Sequence, residues 1–338
     1  MTDQPDHRRD LVVIGASAGG VEVLRRIVSD LPADLGAAVC VVLHISPGSP
    51  SALAPILQRA GRLPVRSATD GDPLRAGHIL VAPPDRHMVV QDGRVKLTLG
   101  PRENGHRPAV DPLFRSAAEA RDRRVIGVVL SGTRDDGSAG LAAIKARGGG
   151  TIVQDPEEAM YAGMPASALA HVAVDAVVPS SLIARTIASM VNGADLPPGA
   201  DPSADPSADG DGDVSVTTVC PECGGVLSER AESGVTQWRC RVGHRYSPDT
   251  LVDAQAEGVE AALWAAVRAL EDRQTLLARM SSQAHERGQP GVARAFSARG
   301  NTARDNAHQV REALQRAVAT TLRTLGNPAA QDDEEDAA

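Results

Sequence analysis

The sequence predicts an α/β protein on a mostly parallel, doubly wound sheet, followed by a small cysteine-rich module and a C-terminal α-hairpin. Three observations predict this. Up to about residue 192, apolar runs alternate with helical patterns. Those runs are continuous in Val, Ile and Leu rather than alternating, which is the pattern of strands buried on both faces. Three cysteines and a histidine then cluster ahead of two long stretches with apolar residues at helical steps.

The elements follow in order. Strands are expected at Leu11–Ile14, Ala38–His44, His78–Ala82, Val125–Leu130, Thr151–Gln154 and Ala173–Val178. Helices are expected near Gly20–Ser29, Ser51–Arg59, Pro112–Ala120, Ser138–Arg147 and Ser180–Met190. A hairpin, Met88–Val90 with Val95–Leu99 around Asp92-Gly93, interrupts the series, because Asp-Gly suits a two-residue hairpin turn. Residues 10–192 thus read as one domain. Residues 193–218 are rich in Pro, Asp, Ser and Gly and read as a disordered linker. Within it, Asp209, Asp211 and Asp213 mimic the start of a calcium loop, but Val214 stands where its glycine should be and Cys220 where its closing Glu should be.

Residues 219–248 hold the cysteine module. Residues 249–326 read as a helical hairpin, with Val259, Leu263, Val267, Leu270, Leu277 and Met280 on one stripe and a break at Gly288-Gln289-Pro290-Gly291. Residues 327–338 form an acidic tail.

Composition limits the function classes. The chain has 338 residues, 42% of them hydrophobic but only 2% aromatic, so the core must be aliphatic. A net charge of −8 argues against nucleic acid as a partner. No stretch reaches the roughly 20 apolar residues of a membrane span, so no direct membrane insertion is expected. Met1 to Asp10 is polar and lacks the apolar segment of a signal peptide, so the expected location is cytoplasmic.

The stretch Gly15-Ala16-Ser17-Ala18-Gly19-Gly20 follows the first strand. As a dinucleotide cradle it fails: Ser17 replaces the second glycine, and the second strand ends in His44 instead of an acid. It also lacks the Gly-Lys-Ser/Thr of a P-loop. It does satisfy G-x-S-x-G, a sharp strand-to-helix turn that exposes a serine hydroxyl above the sheet edge. The helix that follows aims its positive end at developing negative charge. A serine nucleophile needs a base and an orienting acid. Parallel strands deliver residues to one carboxyl edge, where His44 and either Asp135 or Asp136 would join Ser17. Among the other histidines, His87 and His106 fall in loops suited to substrate contact, His78 opens a strand, His171 reads as a surface residue, and His285 and His308 lie on the helical arm.

Three stretches, IGASAGG (14–20), VVLHISPG (41–48) and LSGTRDDGSAG (130–140), together resemble the chemotaxis receptor methylesterases, the CheB-type catalytic domain. GHILVAPPDRHM (77–88), HRPAVDPLF (106–114) and YAGMP (161–165) resemble that family too, in the same order. The resemblance implies a parallel-sheet domain over residues 10–192 that hydrolyses glutamate γ-methyl esters on receptors and also deamidates glutamines. It implies Ser17 as nucleophile, His44 as base, Asp136 as orienting acid, and the backbone N–H groups of Ala18 and Thr133 as the oxyanion hole. No cofactor is implied for catalysis. Two departures stand out. Gly132-Thr133-Arg134-Asp135-Asp136-Gly137 occupies the place of the family's usual Gly-Met-Gly-Asn-Asp-Gly, which keeps the backbone donor and adds a charge. Only about ten residues precede the first strand, so the expectation is a stand-alone domain without the phosphorylated receiver common in the family.

Cys220, Cys223, Cys240 and His244 have the spacing C-x2-C-x16-C-x3-H. Two close pairs of thiolate and imidazole ligands suit tetrahedral zinc, and a module this small needs such a staple. A zinc-ribbon-like module with one structural zinc is therefore expected. The function expected overall is a protein-glutamate methylesterase, a carboxylic ester hydrolase with glutaminase chemistry on the same triad. Its expected partners are methyl-accepting chemotaxis-type receptors or another methylated signalling protein, with self-association through the C-terminal helices. The alternative is a catalytically idle scaffold that recruits partners through the zinc module and helices.

Overall fold

The computed structural model describes residues 8–46, 48, 51–193 and 214–326. They fall into two compact units, Met1–Val252 and Asp253–Ala338.

In the first unit the central strand is β1 (Leu11–Ala16), six apolar or small residues that are all buried. After α1 (Gly20–Asp30), β2 (Ala38–Leu43) pairs parallel to it, Leu11 opposite Ala38. Next come α2 (Leu53–Ala60), β3 (Val65–Ser67) and β4 (Ile79–Val81). The hairpin of β5 (His87–Gln91) and β6 (Arg94–Thr98) turns at Asp92 and Gly93, both with positive φ, as a mirror-image turn requires. The chain then forms α3 (Val110–Arg121), β7 (Val125–Val129), α4 (Ser138–Ala146), β8 (Gly150–Gln154), α5 (Gly163–His171), β9 (Ala176–Val178) and α6 (Ser180–Val191).

Seven strands form one parallel sheet in the order β3-β4-β2-β1-β7-β8-β9. Residues alternate between its faces along each strand. Val12 and Ile14 pack with Leu24 and Ile27 of α1, Leu57 of α2 and Ile187 of α6. Leu11 and Val13 pack on the other face with Phe114 of α3 and Leu141 of α4. The sheet is thus doubly wound, as expected. The chain runs outward from β1 on one side and then returns to β7 on the other. That reversal makes the carboxyl ends of β1, β2 and β7 the topological switch point of the sheet, where such folds place their sites.

A four-stranded antiparallel sheet closes the first unit: β10 (Val214–Val219), β11 (Val226–Glu232), β12 (Val235–Cys240) and β13 (Arg245–Tyr246). The module therefore begins at Val214 and not at 219. Val214 and Ser215 pair with Glu229 and Ser228, so the end of the expected linker is strand. Residues 194–213, and the acidic tail over 327–338, lie outside the described residues.

Two helices form a hairpin, α7 (Pro248–Glu286) and α8 (Pro290–Gly326); the first turn of α7, up to Val252, belongs to the first unit, and the hairpin from Asp253 onward makes up the second. Gly288, at φ 70°, ends the first helix, and the N–H groups of Gly288 and Gln289 close on the carbonyls of His285 and Ala284. Leu277, Ala284, Ala293, Ala303 and Ala307 are buried on the helices. Glu271 and Arg311 pair between them. No helix among the described residues is long and apolar enough to cross a membrane.

Candidate active site

Directly after β1, Ser17-Ala18-Gly19 turns sharply into α1. Gly19 has φ 76°, a left-handed conformation that favours glycine. At Gly15 an added Cβ would lie 2.3 Å from Val110 Cγ1, so only glycine lets the start of α3 come this close. The Ser17 N–H donates to Ser131 O at 3.0 Å, tying the turn to the segment after β7.

His44 follows β2, and its N–H donates to Ala16 O at 3.2 Å. Its Nδ1 lies 3.1 Å from Ser17 Oγ and its Nε2 lies 2.7 Å from Asp136 Oδ2. A carboxylate can only accept, so the proton sits on Nε2, and Nδ1 accepts from the serine hydroxyl. Three residues expected at one sheet rim from sequence therefore form one hydrogen-bonded chain.

Asp136, between β7 and α4, is 2% exposed, and its carboxylate meets the N-terminus of α3. Its carboxylate accepts from the Val110 N–H at 2.7 Å, the Asp111 N–H at 3.2 Å and Asn104 Nδ2 at 2.9 Å. Burial alone would raise its pKa. The His44 ring outweighs that with help from the Val110 N–H and Asn104, and holds Asp136 below the ordinary carboxylate range. Of the two acids open in the sequence, only Asp136 meets His44. Asp135 accepts from Ser247 Oγ at 2.5 Å and Thr250 Oγ1 at 2.7 Å, and burial raises its pKa.

His106 lies where substrate contact was expected, yet it stacks on His44, with ring centroids 3.7 Å apart and planes 13° from parallel. Burial first, and then the neighbouring His44, lower its pKa to about 3, so it stays neutral near neutral pH. His87 is not a loop residue. It opens β5, is buried, and is committed on both nitrogens, with Nε2 to Pro101 O at 2.9 Å and Nδ1 accepting from Ala109 N at 3.3 Å.

Gly132, beside Thr133, is packed so closely that a Cβ there would fall 2.8 Å from Ser17 Cβ. The Thr133 segment therefore flanks the serine. Its neighbour Gly132 is stitched to the segment after Met160: the Gly132 N–H donates to Tyr161 O at 3.0 Å and Gly132 O accepts from the Met164 N–H at 2.9 Å. Met160 and Tyr161 are exposed beside Gly19.

The ligand atoms of Cys220, Cys223, Cys240 and His244 all lie within 4.8 Å of one another. Cys223 and Cys240 sulfurs are 3.7 Å apart, and His244 Nδ1 is 3.4 Å from Cys240 Sγ and 3.7 Å from Cys220 Sγ. A tetrahedral ion with bonds of about 2.3 Å to sulfur needs ligand atoms about 3.7 Å apart. The donor set thus fits zinc. His244 Nε2 turns outward to Glu222 Oε2 at 3.1 Å, a carboxylate partner typical of a metal-bound imidazole. Burial disfavours the Cys240 thiolate, but the Gly243 backbone and the His244 ring bring its pKa down to about 6.

Sequence reasoning missed Asn104, Asp111, Ser247 and Thr250. Asp111 is 1% exposed and accepts from the Gly137 and Gly140 N–H groups at 3.1 and 2.7 Å, anchoring the start of α4. Its place in Val110-Asp111-Pro112, at the head of a helix, was the available signal. Asn104, Ser247 and Thr250 carried none, because their partners are remote in sequence.

Comparison with known proteins identifies the family. The CheB methylesterase family matches residues 12–187. Protein-glutamate methylesterase/protein-glutamine glutaminase 2 of Anaeromyxobacter dehalogenans is 44% identical over 180 residues, 53% of this chain and 53% of that protein. Protein-glutamate methylesterase/protein-glutamine glutaminase of Symbiobacterium thermophilum is 42% identical over 184 residues, 54% of this chain and 51% of the relative. This chain thus spans about half the length of these curated relatives. The Thermotoga maritima CheB methylesterase catalytic domain superposes with a TM-score of 0.52 at 35% identity, over 54% of this chain and 98% of that one. By its sheet, its six ordered motifs and the span of this match, the chain belongs to the CheB methylesterase family.

Proposed function

We propose that the chain is a protein-glutamate methylesterase that hydrolyses glutamate γ-methyl esters on chemotaxis-type receptors. The observation that carries this reading is the continuous chain Ser17 Oγ, His44, Asp136, at 3.1 and 2.7 Å. Ser17 Oγ attacks the ester carbonyl while His44 Nδ1 takes its proton. Asp136 holds the ring in the tautomer that allows this and stabilises the imidazolium. The backbone N–H groups of Ala18 and Thr133 receive the oxyanion, supported by the N-terminus of α1. His44 then returns the proton to the departing methoxide, which leaves as methanol. A water deprotonated by His44 cleaves the glutamyl-serine ester and frees the γ-carboxylate.

The names of the relatives also carry a glutaminase activity. The same steps on a glutamine side chain expel ammonia, so deamidation is proposed on the same triad. Exposed Met160 and Tyr161 offer an apolar rim beside Ser17 for a helical receptor segment. We assign Cys220, Cys223, Cys240 and His244 to one structural zinc, with every ligand position filled by protein. Four unpaired cysteines fit a cytoplasmic location.

Methanol release from a methylated receptor fragment tests the reading. The wild-type chain is expected to release methanol, and Ser17→Ala to release none above the uncatalysed rate while keeping its fold by circular dichroism. Turnover retained in Ser17→Ala, or absent from the wild type, would overturn it.

A further inference from the structure

The C-terminal module and the triad are joined through one loop. Residues 99–109 connect the β5–β6 hairpin to α3, and this loop carries both Asn104 and His106. Asn104, at φ 50°, adopts a left-handed turn that asparagine tolerates, and it is 1% exposed. Both N–H groups of its amide are committed, to Asp136 Oδ1 at 2.9 Å and Asp111 Oδ2 at 3.1 Å. The orientation of that amide is set from the module. Its Oδ1 accepts from the Ser247 N–H at 3.0 Å, so the NH₂ end must face the acids. The Asn104 backbone N–H donates to Arg245 O at 2.9 Å, and Glu103 forms a parallel bridge with Arg245. The Arg245 guanidinium meanwhile grips Glu232 at 2.6 and 2.7 Å.

A second path reaches the residue next to the triad acid. The hydroxyls of Ser247 and Thr250 converge on one oxygen of Asp135, at 2.5 and 2.7 Å. All three residues are at most 4% exposed. A buried carboxylate stripped of its donors must move or take a proton, and Asp136 follows it directly in the chain.

We infer that Ser247 and Thr250 are positioning residues for the triad, Ser247 acting through both Asn104 and Asp135 and Thr250 through Asp135, so that the C-terminal module with the first turn of α7 is an integral part of the active site. This rests on the esterase reading for its kinetic consequence but not for its geometry. The module is then more than a recruiting appendage: it supplies the outer half of the mould that holds Asp136 against His44. His106, on the same clamped loop, stacks over His44 and limits its rotation.

The test uses the full chain. Ser247→Ala, Thr250→Ala and their double variant are compared with Thr250→Ser, which keeps the hydroxyl. Two quantities are read: kcat and KM for a small methyl ester, and the downfield proton resonance of His44 Nε2–H, which reports the bond to Asp136. The expected result is a kcat at least 10-fold lower in the double variant with KM within twofold, a shifted or broadened resonance, and wild-type behaviour in Thr250→Ser. The inference is overturned by a double variant with wild-type kcat and resonance, or by a kcat loss with an unmoved resonance. Should the double variant not fold, the single variants carry the same test. A wild type without esterase activity would sink the functional reading, while the resonance would still decide this one.

Discussion

The parallel sheet and the β10–β13 module solve the same problem with different means. In the sheet, β1, β2, β7 and β8 are buried along their whole length, and helices cover both faces. In the module, among the described side chains, Leu227, Val235 and Tyr246 are the buried apolar groups besides the sulfurs of Cys220 and Cys240. Even Val235 is packed into the core of the larger domain. A sheet covered on both faces holds itself by burial, whereas so small a strand set needs a staple and a host surface. The rigid region therefore carries the reacting side chains, and the lightly built one is held against it. That arrangement makes the small region able to act on the large one through Asn104 and Asp135.

The strongest way to break this comparison is to take away the proposed zinc. Structural zinc contributes about 10–16 kcal/mol in zinc-finger peptides, so its removal by a chelator should unfold the module. Metal analysis of the untreated chain should give about one zinc per molecule. Hydrogen exchange on the chelated chain should show rapid loss of protection over β10–β13, while β1 and β7 amides stay protected. Protection retained in the module would show that its own packing suffices.

The triad offers the next largest effect. Asp136→Asn keeps the shape of the side chain but presents the wrong hydrogen-bonding group to His44 Nε2. By analogy with the serine-protease triad, kcat should fall on the order of 10⁴-fold. Stability in urea should change far less, since the sheet core is untouched. An activity loss below 10-fold would place the orienting acid elsewhere.

A core substitution sharpens the contrast from the other side. Phe114 is fully buried between α3 and the sheet. Phe114→Ala should cost about 3–5 kcal/mol in the cooperative unfolding of the sheet domain, measured by urea titration. A loss under 1 kcal/mol would mean that this face of the sheet is not the source of its stability.

The smallest effect concerns the clamped loop. His106 has its pKa lowered to about 3 by burial and by His44. Unfolded, it would titrate near 6.5. Between those values the unfolded chain binds a proton that the folded chain does not, so stability falls as pH drops from about 6.5 toward 3. His106→Gln should flatten the plot of unfolding free energy against pH by up to one proton in that window. An unchanged slope would mean that His106 takes up its proton in the folded state.

Much was legible before any coordinates. The unbroken runs Leu11–Ile14 and Val125–Leu130 marked doubly buried strands, because only a sheet covered on both faces tolerates them. Within the parallel-sheet domain, β3 and α5 were missed for local reasons. β3 is three residues long with one buried, too short for a periodic signal. α5 contains Gly163 and Pro165, which argue against a helix, although a proline in the first turn costs no hydrogen bond.

The sequence by itself determined the sheet, the strand-end placement of Ser17 and His44, and the ligand spacing of the Cys/His module. Each of these is a local matter of burial pattern, turn chemistry or spacing. The strand ends left Asp135 and Asp136 open and the family resemblance pointed to Asp136, but only the tertiary structure gave the acid its bond to His44, stacked His106 on the His44 ring, and brought Asn104 to Ser247 across 143 residues and Asp135 to Ser247 across 112. The reason is physical. A hydrogen bond between buried groups forms only after the surfaces that exclude water around it have docked, and no periodicity along the chain records which surfaces those are.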